Sequence, residues 1–182
     1  GDMGFGGNRM PVSISHIYNA NDAANNDFGL GSGWRTNYHQ RVYRWTVDTS
    51  YYVWEDSDGT RHYFKGSGST YKDEDGLELT MTTNGTGTKK YSITDKYGNK
   101  SYFDTSGRLT ELVNNQATPS SITITYGTGN RIATIKDGVG REYRFTYNSG
   151  NLLTRIGYFG KGTEELFYTA YGYSGTLLTT IT

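Results

Sequence analysis

Apolar and polar residues alternate along most of the chain with a period of two, which is typical of strands with one buried face. In the segment 141–147, Tyr143, Phe145 and Tyr147 occupy every second position, with charged or polar residues between them. The segments 122–126 and 77–81 show the same alternation. The pattern predicts antiparallel strands, each with one apolar and one solvated face.

Three windows of the sequence align without a gap and predict a repeated hairpin. Each begins with Asp, has Gly three residues later and Phe five residues after that. Asp caps its own turn and Gly adopts the left-handed conformation, so each window predicts a tight reversal followed by a strand. We expect the three Phe residues to fill equivalent core positions. The windows contain Asp56, Gly59 and Phe64; Asp95, Gly98 and Phe103; and Asp137, Gly140 and Phe145.

A second repeated element consists of a turn residue with apolar residues two and five positions later. Its four copies begin 23, 21 and 25 residues apart, a spacing that fits two short strands and two turns per unit. We expect these apolar pairs to face the core as well. The pairs are Leu109 and Leu112, Ile132 and Ile135, Leu153 and Ile156, and Leu178 and Ile181.

These patterns predict an all-β fold, in which antiparallel β-hairpin repeats form a curved, open, continuous sheet with a non-repeating N-terminal β cap. The segment 1–7 is rich in Gly and is predicted to be a flexible lead-in. The cap comprises 8–54 and covers the open edge of the first repeat. The repeats comprise 55–182 as one structural unit, which we expect to be cut from a longer chain.

Composition excludes several classes of protein. The 182 residues include 25 Gly and 17 Tyr but no Cys, so disulfides and thiolate metal sites are absent. The 18 basic and 18 acidic side chains balance, which argues against a nucleic-acid partner. The sequence has no apolar run long enough for a membrane span and no apolar block typical of a signal peptide, so we expect no membrane insertion.

Candidate metal and catalytic residues are few. His16, His39 and His62 are 23 residues apart and share no local ligand motif, which favours structural roles. Two acidic turns contain oxygen ligands suited to Ca²⁺, but neither fits the EF-hand pattern, and Asp-Gly is also an ordinary hairpin signal. The better calcium candidates are Asp73, Asp75 and Glu78.

No catalytic constellation emerges from the sequence. A paired-carboxylate glycosidase site is not marked by any motif, and no nucleophile elbow or phosphate-binding loop has the required strand–helix context. We therefore predict a protein that is not an enzyme and needs no cofactor.

Aromatic residues suggest an alternative to a purely structural role, which is a carbohydrate-binding or cell-wall-binding surface. Flat aromatic rings on the solvated face of a sheet can stack on sugar rings, whereas rings on the other face form core ladders. The alternation favours the core ladder, and the carbohydrate interpretation stays open. Its candidate residues are Trp34, Trp45, Trp54, Tyr51 and Tyr171.

The repeats resemble the RHS/YD-repeat family, large bacterial secreted or surface proteins to which animal teneurins are distantly related. The resemblance rests on Gly107-Arg-Leu-Thr-Glu-Leu112, on the segment 147–156 and on the three Asp-x-x-Gly windows. The N-terminal segments 10–19 and 28–35 are similar to the region that precedes the repeats in such proteins. The literal Tyr-Asp dipeptide is absent, and Tyr147-Asn148 stands at that place.

The resemblance implies a hollow β-shell that encloses a C-terminal region, often a toxin, and an extracellular or cell-surface location. Nothing here matches the self-cleaving region that follows the last repeats in the family. We therefore expect a non-catalytic scaffold that forms part of a shell wall. Its expected partners are further repeats of its own chain, cell-wall glycans under the carbohydrate interpretation, and other copies that meet its open sheet edges.

Overall fold

The computed structural model describes residues 10–182, and within this range nearly all regular structure is antiparallel β-sheet. The predicted all-β class of hairpin-connected antiparallel strands in an open sheet is confirmed. The helical segments of the described chain are three-residue 3₁₀ turns at Ala20–Asp22, Gly87–Lys89 and Thr128–Asn130. The predicted lead-in 1–7 lies outside the described residues.

Sixteen strands follow one another along the described chain. In order they are β1 His16–Tyr18, β2 Trp34–Thr36, β3 Arg41–Arg44, β4 Tyr51–Glu55, β5 Arg61–Ser67, β6 Thr70–Asp73, β7 Thr80–Thr82, β8 Tyr91–Thr94, β9 Lys100–Phe103, β10 Leu109–Val113, β11 Ser121–Tyr126, β12 Ile132–Lys136, β13 Glu142–Tyr147, β14 Leu153–Gly160, β15 Phe167–Ser174 and β16 Leu177–Ile181.

The described chain divides into two compact units. The first unit comprises Asn37–Ser121 with Met10, and the second comprises Pro11–Thr36 with Ile122–Thr182. Residues of the predicted cap, 8–54, therefore contribute to both units, and the boundary expected at residue 55 stays a prediction.

In the first unit, β3 to β10 form a meander in which each strand pairs with its neighbours in the chain. Opposed residues share a face, so the pair Tyr52 and Phe64 and the pair Trp54 and His62 define one side of the sheet. We call this side, which carries the buried Phe64, the core face, and the opposite side the outer face.

The outer edge of β3 is occupied by the turn that precedes β10. The Val42 amide donates to the Gly107 carbonyl at 2.9 Å, and the Leu109 amide donates to the Gln40 carbonyl at 3.4 Å. A strand edge that is already bonded cannot pair with another chain. This edge of the first unit is therefore protected by the unit's own backbone.

The second unit consists of the meander β11 to β16 and a separate two-stranded sheet, β1 with β2. Its buried residues include members of the predicted apolar pairs. Ile132, Ile135 and Leu153 are fully buried, and Ile156 is nearly so. The buried residues of β12 and β14 are thus three positions apart, which is the spacing of the second repeated element.

A glycine-rich loop packs into the second unit. Leu30 is fully buried, and the glycines on either side of it, Gly29 and Gly31, have φ angles of +82° and +84°. The Gly29 carbonyl accepts a hydrogen bond from the Leu153 amide at 2.7 Å, and the Ser32 amide donates to the Thr176 carbonyl at 2.9 Å. The loop therefore bonds directly to the meander, which requires the close backbone approach that glycine allows.

One predicted strand is wrong in its extent. The alternation at 77–81 predicts a strand, but β7 begins only at Thr80, and Leu77 is exposed. The carboxylate of Asp73 accepts hydrogen bonds from the amides of Asp75, Leu77 and Leu79. Those amides close a wide loop and are not available for a sheet ladder.

Candidate functional site

The Asp-x-x-Gly windows form five-residue turns with one hydrogen-bond pattern. At Asp137, Oδ1 accepts from the amides of Val139 and Arg141 at 3.0 and 2.9 Å. The Gly140 amide donates to the Asp137 carbonyl at 3.1 Å, and the Asp137 amide donates to the Arg141 carbonyl at 3.0 Å. The same pattern occurs in turns that open at Asp56, Asp95, Asp104 and Asn148.

The second carboxylate oxygen of each turn aspartate also has a partner. Arg141 Nε donates to Asp137 Oδ2 at 2.6 Å, and Arg108 Nε donates to Asp104 Oδ2 at 2.9 Å. Burial alone would raise the pKa of Asp137, but hydrogen bonds from the Arg141 and Val139 amides and the Arg141 guanidinium lower it overall. Carboxylates bonded in this way stabilise the turns.

The structure places the predicted repeat residues as follows. Phe64 and Phe103 are fully buried in the first unit, and Phe145 is buried in the second. Leu109 is fully buried. Leu112 is only half-buried, and it follows a β-bulge that shifts the pairing of β10 with β9 between Leu109 and Glu111. The turn glycines Gly59, Gly98 and Gly140 have φ angles of +79°, +86° and +94°.

The calcium candidates do not converge on one point. Both oxygens of Asp73 accept backbone amides, Asp75 Oδ2 lies 3.5 Å from His62 Nδ1, and Glu78 Oε2 lies 3.6 Å from Lys96 Nζ. Among residues 10–182, no three His, Asp or Glu side chains are grouped so as to hold a metal ion.

Each histidine has a different environment. His16 Nε2 shares a hydrogen bond with the Tyr171 hydroxyl at 2.6 Å, and burial lowers the pKa of His16 below its ordinary value. His62 is buried against the Trp54 ring, with Nε2 at 2.7 Å from Asp56 Oδ2. His39 is buried in the first unit.

The outer face of the first unit contains a buried carboxylate that no sequence motif marks. Glu55 is almost fully buried and accepts hydrogen bonds from Arg41 Nε at 2.9 Å and from the Tyr43 hydroxyl at 3.0 Å. Burial and the Glu55 charge raise the pKa of Tyr43 to about 12. The carboxylate is thus neutralised by the side chains around it, as a buried charge requires.

An aromatic cluster lies on the same outer face. The Trp45 ring centroid is 5.5 Å from that of Tyr51 and 4.9 Å from that of Tyr63, both in edge-to-face geometry. All three rings are half-buried. Lys65 Nζ lies 5.6 Å from the centre of the Tyr51 ring. Two carbohydrate candidates, Trp45 and Tyr51, are therefore brought together, and Tyr63 joins them through the register of β4 and β5.

The other carbohydrate candidates lie elsewhere. Trp54 is on the core face, where its indole N–H donates to Gln40 Oε1 at 3.1 Å and its ring lines a cavity of about 380 Å³. Trp34 packs against Tyr18 in the second unit, with ring centroids 5.2 Å apart. Tyr171 does not fit an exposed platform, because its ring is buried against His16 in the core of the second unit.

Comparison with known families gives one match. A family described as a domain of unknown function, DUF6531, matches residues 2–64, about a third of the chain. The search of curated proteins found no match. No helix in the described part of the chain is long and apolar enough to cross a membrane.

Proposed function

We propose that this chain is a non-catalytic structural module, part of the β-shell wall of a large secreted or surface-displayed protein of the RHS/YD-repeat type. The observation that carries the proposal is the contrast between copies of one repeated element. Ile135 and Ile156 are buried, whereas Ile181 at the equivalent position is 38% exposed on β16, the end strand of its sheet.

That contrast has a direct physical reason. Apolar residues of β12 and β14 are covered because a strand lies on each side of them, but β16 pairs only with β15 among the described strands. Leu177 on β16 is also exposed. An apolar end strand of this kind favours the addition of a further hairpin. The sequence resemblance supports the same view, in which further repeats cover β16 and the shell encloses a C-terminal region such as a toxin.

Analytical ultracentrifugation tests whether β16 accepts another strand. We expect the chain to associate with increasing concentration and the double variant Leu177→Lys/Ile181→Lys to remain monomeric, because charges on an edge oppose strand pairing. Val47→Lys, a change at an exposed apolar residue of the first unit, is the matched control and should associate like the wild type. A monomeric wild type at all concentrations contradicts the proposal.

A carbohydrate-binding module is the second candidate, supported by the cluster of Trp45, Tyr51 and Tyr63. These half-buried rings lie together on the outer face, and the exposed side chains of Lys65 and Arg61 on β5 add polar groups beside them. Isothermal titration calorimetry with cell-wall polysaccharide tests this candidate. Binding should be lost in Trp45→Ala and retained in Tyr97→Ala, which removes an exposed ring elsewhere in the first unit.

A further inference from the structure

Arg44 is an ordered cation on the core face of the first unit. It is the last residue of β3 and lies opposite Tyr52 in the register with β4. Its Nη2 donates to the hydroxyls of Tyr52 and Tyr71, both at 3.2 Å. The guanidinium carbon lies 4.7 Å from the centre of the Tyr52 ring, a cation–π contact. The guanidinium is thus held in one place although the side chain is exposed.

The charge of Arg44 is not neutralised by a carboxylate within residues 10–182. Several other arginines of the described chain are paired with acids, among them Arg41 with Glu55, Arg108 with Asp104, Arg141 with Asp137 and Arg155 with Glu165. Phenol oxygens accept hydrogen bonds from Arg44 but carry no charge at neutral pH. Nε and Nη1 of Arg44 make no hydrogen bond to any described residue, so the guanidinium keeps free donors.

Two tyrosines contact this guanidinium, and a third, Tyr91, packs against one of them. The Tyr52 ring centroid is 4.9 Å from that of Tyr71 and 5.8 Å from that of Tyr91. Burial, together with the electrostatic interaction and hydrogen bond with Tyr52, raises the pKa of Tyr91, so its phenol remains a neutral hydroxyl. Lys90 Nζ lies 5.7 Å from the Tyr91 ring and forms no ion pair with any residue of the described chain. Arg44 and Lys90 thus border one group of tyrosine rings, and neither is paired with a carboxylate of the described chain.

We propose that Arg44, with Tyr52, Tyr71, Tyr91 and Lys90, forms a binding site for the carboxylate or phosphate group of an anionic ligand. The planar guanidinium presents paired N–H donors that match the two oxygens of such a group. The hydrogen bonds from Nη2 to Tyr52 and Tyr71 fix the guanidinium before the ligand arrives, which reduces the entropy cost of binding. Lys90 adds a second positive charge beside Tyr91.

The site is independent of the outer-face aromatic cluster. Arg44 and Tyr52 lie on the core face, whereas Tyr51 and Tyr63 lie on the outer face of the same strands. Loss of anion binding in an Arg44 variant would therefore leave the carbohydrate candidate and the scaffold proposal untouched.

Nuclear magnetic resonance titration of the whole chain tests the proposal, with inorganic phosphate and glucuronate as anionic probes and glucose as the neutral control. We expect saturable shifts in the Arg44 Nε–H signal and in the Tyr91 ring with at least one anion, and none with glucose. The anion that binds more tightly identifies the chemical group. The absence of saturable shifts with both anions overturns the proposal.

Variants separate a site from general electrostatic attraction. Arg44→Gln should weaken anion binding by about tenfold or more, since it removes charged hydrogen bonds. Lys72→Gln, which removes an exposed cation on β6, should leave binding unchanged. Equal weakening in both variants overturns the proposal. If Arg44→Gln does not fold, Arg44→Lys and Tyr91→Phe serve instead, and retention of full affinity in both contradicts a site at this position.

Discussion

The carbonyl oxygen of Gly107 accepts the amide of Val42 at 2.9 Å, so a turn between β9 and β10 bonds to the first strand of the same unit. Gly107 has a φ of +81°. A Cβ at this position would collide with the Val42 carbonyl oxygen. Gly107 therefore meets two demands at once, a left-handed backbone and contact with another backbone segment.

Substitution of Gly107 by Ala should destabilise the first unit more than the equivalent change at Gly140. Each glycine is the fourth residue of a turn with the same hydrogen-bond pattern. Nothing, however, lies within 4 Å of a Cβ placed at Gly140. Gly140→Ala should cost about 1–2 kcal/mol from the left-handed backbone alone. Gly107→Ala should cost about 1–3 kcal/mol more because the Val42 backbone must move. Urea unfolding of both variants measures the difference, and equal costs would show that the contact is unimportant.

Truncation of Phe103 to Ala should remove about 3–5 kcal/mol of unfolding free energy, since its ring is fully buried. Tyr97→Ala in the neighbouring turn is the control, because Tyr97 is 69% exposed and should change stability by less than about 0.5 kcal/mol. Phe145→Ala should behave like Phe103→Ala in the second unit. Thermal or urea melts provide the measurement, and losses below about 1 kcal/mol at both Phe positions contradict their core role.

Asp137→Asn should remove a pH-dependent part of the stability. The folded-state pKa of Asp137 is lowered, so the folded state binds fewer protons than the unfolded chain near the ordinary pKa of 3.8. The stabilisation is therefore present above that pH and is lost as the pH falls through the folded pKa. We expect the wild type to be more stable than Asp137→Asn at pH 7, with the difference disappearing in acid.

The asparagine variant should keep the turn itself. Asn148 opens a turn of the same pattern, with its Oδ1 bonded to the amides of Gly150 and Leu152 at 2.9 and 3.1 Å. Only the charge paired with Arg141 changes in Asp137→Asn. Melts from pH 7 to pH 2 compare the two chains, and a difference that is constant across this range contradicts the assigned role of the charge.

His16 should make the second unit less stable as the pH falls below about 6.5. Burial lowers its folded-state pKa, so the unfolded chain binds a proton more readily in this range. The stability is present above pH 6.5 and is lost as the pH falls toward the folded pKa. We expect this loss between pH 7 and pH 5 to be smaller in His16→Gln. A titration of the imidazole by nuclear magnetic resonance measures the pKa directly, and a value at or above 6.5 contradicts the prediction.

The turns were largely predictable, because their chemistry is local. Asp56, Asp95 and Asp137 each bond to amides within the next four residues, and the Asp-x-x-Gly spacing encodes this contact. The turn at Asp104 has the same spacing, Asp104-Thr-Ser-Gly107, but Gly107 also opens a copy of the second repeated element, which hides the turn in the sequence. The turn at Asn148 has Asn151 in place of glycine, with a φ of +61°.

The candidate sites could not be predicted in the same way. Arg44 meets Tyr71 only because the registers of β3 to β6 bring residues 27 positions apart onto one face. Alternation identifies which residues share a face of one strand, but it does not give the register between strands. The outer-face cluster was predicted in part, since Trp45 and Tyr51 were candidates and Tyr63 was not. Tyr171 illustrates the converse, because its burial depends on packing against distant His16.

The meander order has a consequence for how such a protein forms and grows. Because each strand of β3 to β10 and of β11 to β16 bonds to its immediate chain neighbour, most contacts join residues that are close in sequence. Pairing between chain neighbours favours assembly that proceeds hairpin by hairpin. Duplication or deletion of a whole hairpin would also preserve the pairing of the remaining strands with their chain neighbours, although within the first unit it would disturb the bond between Gly107 and Val42.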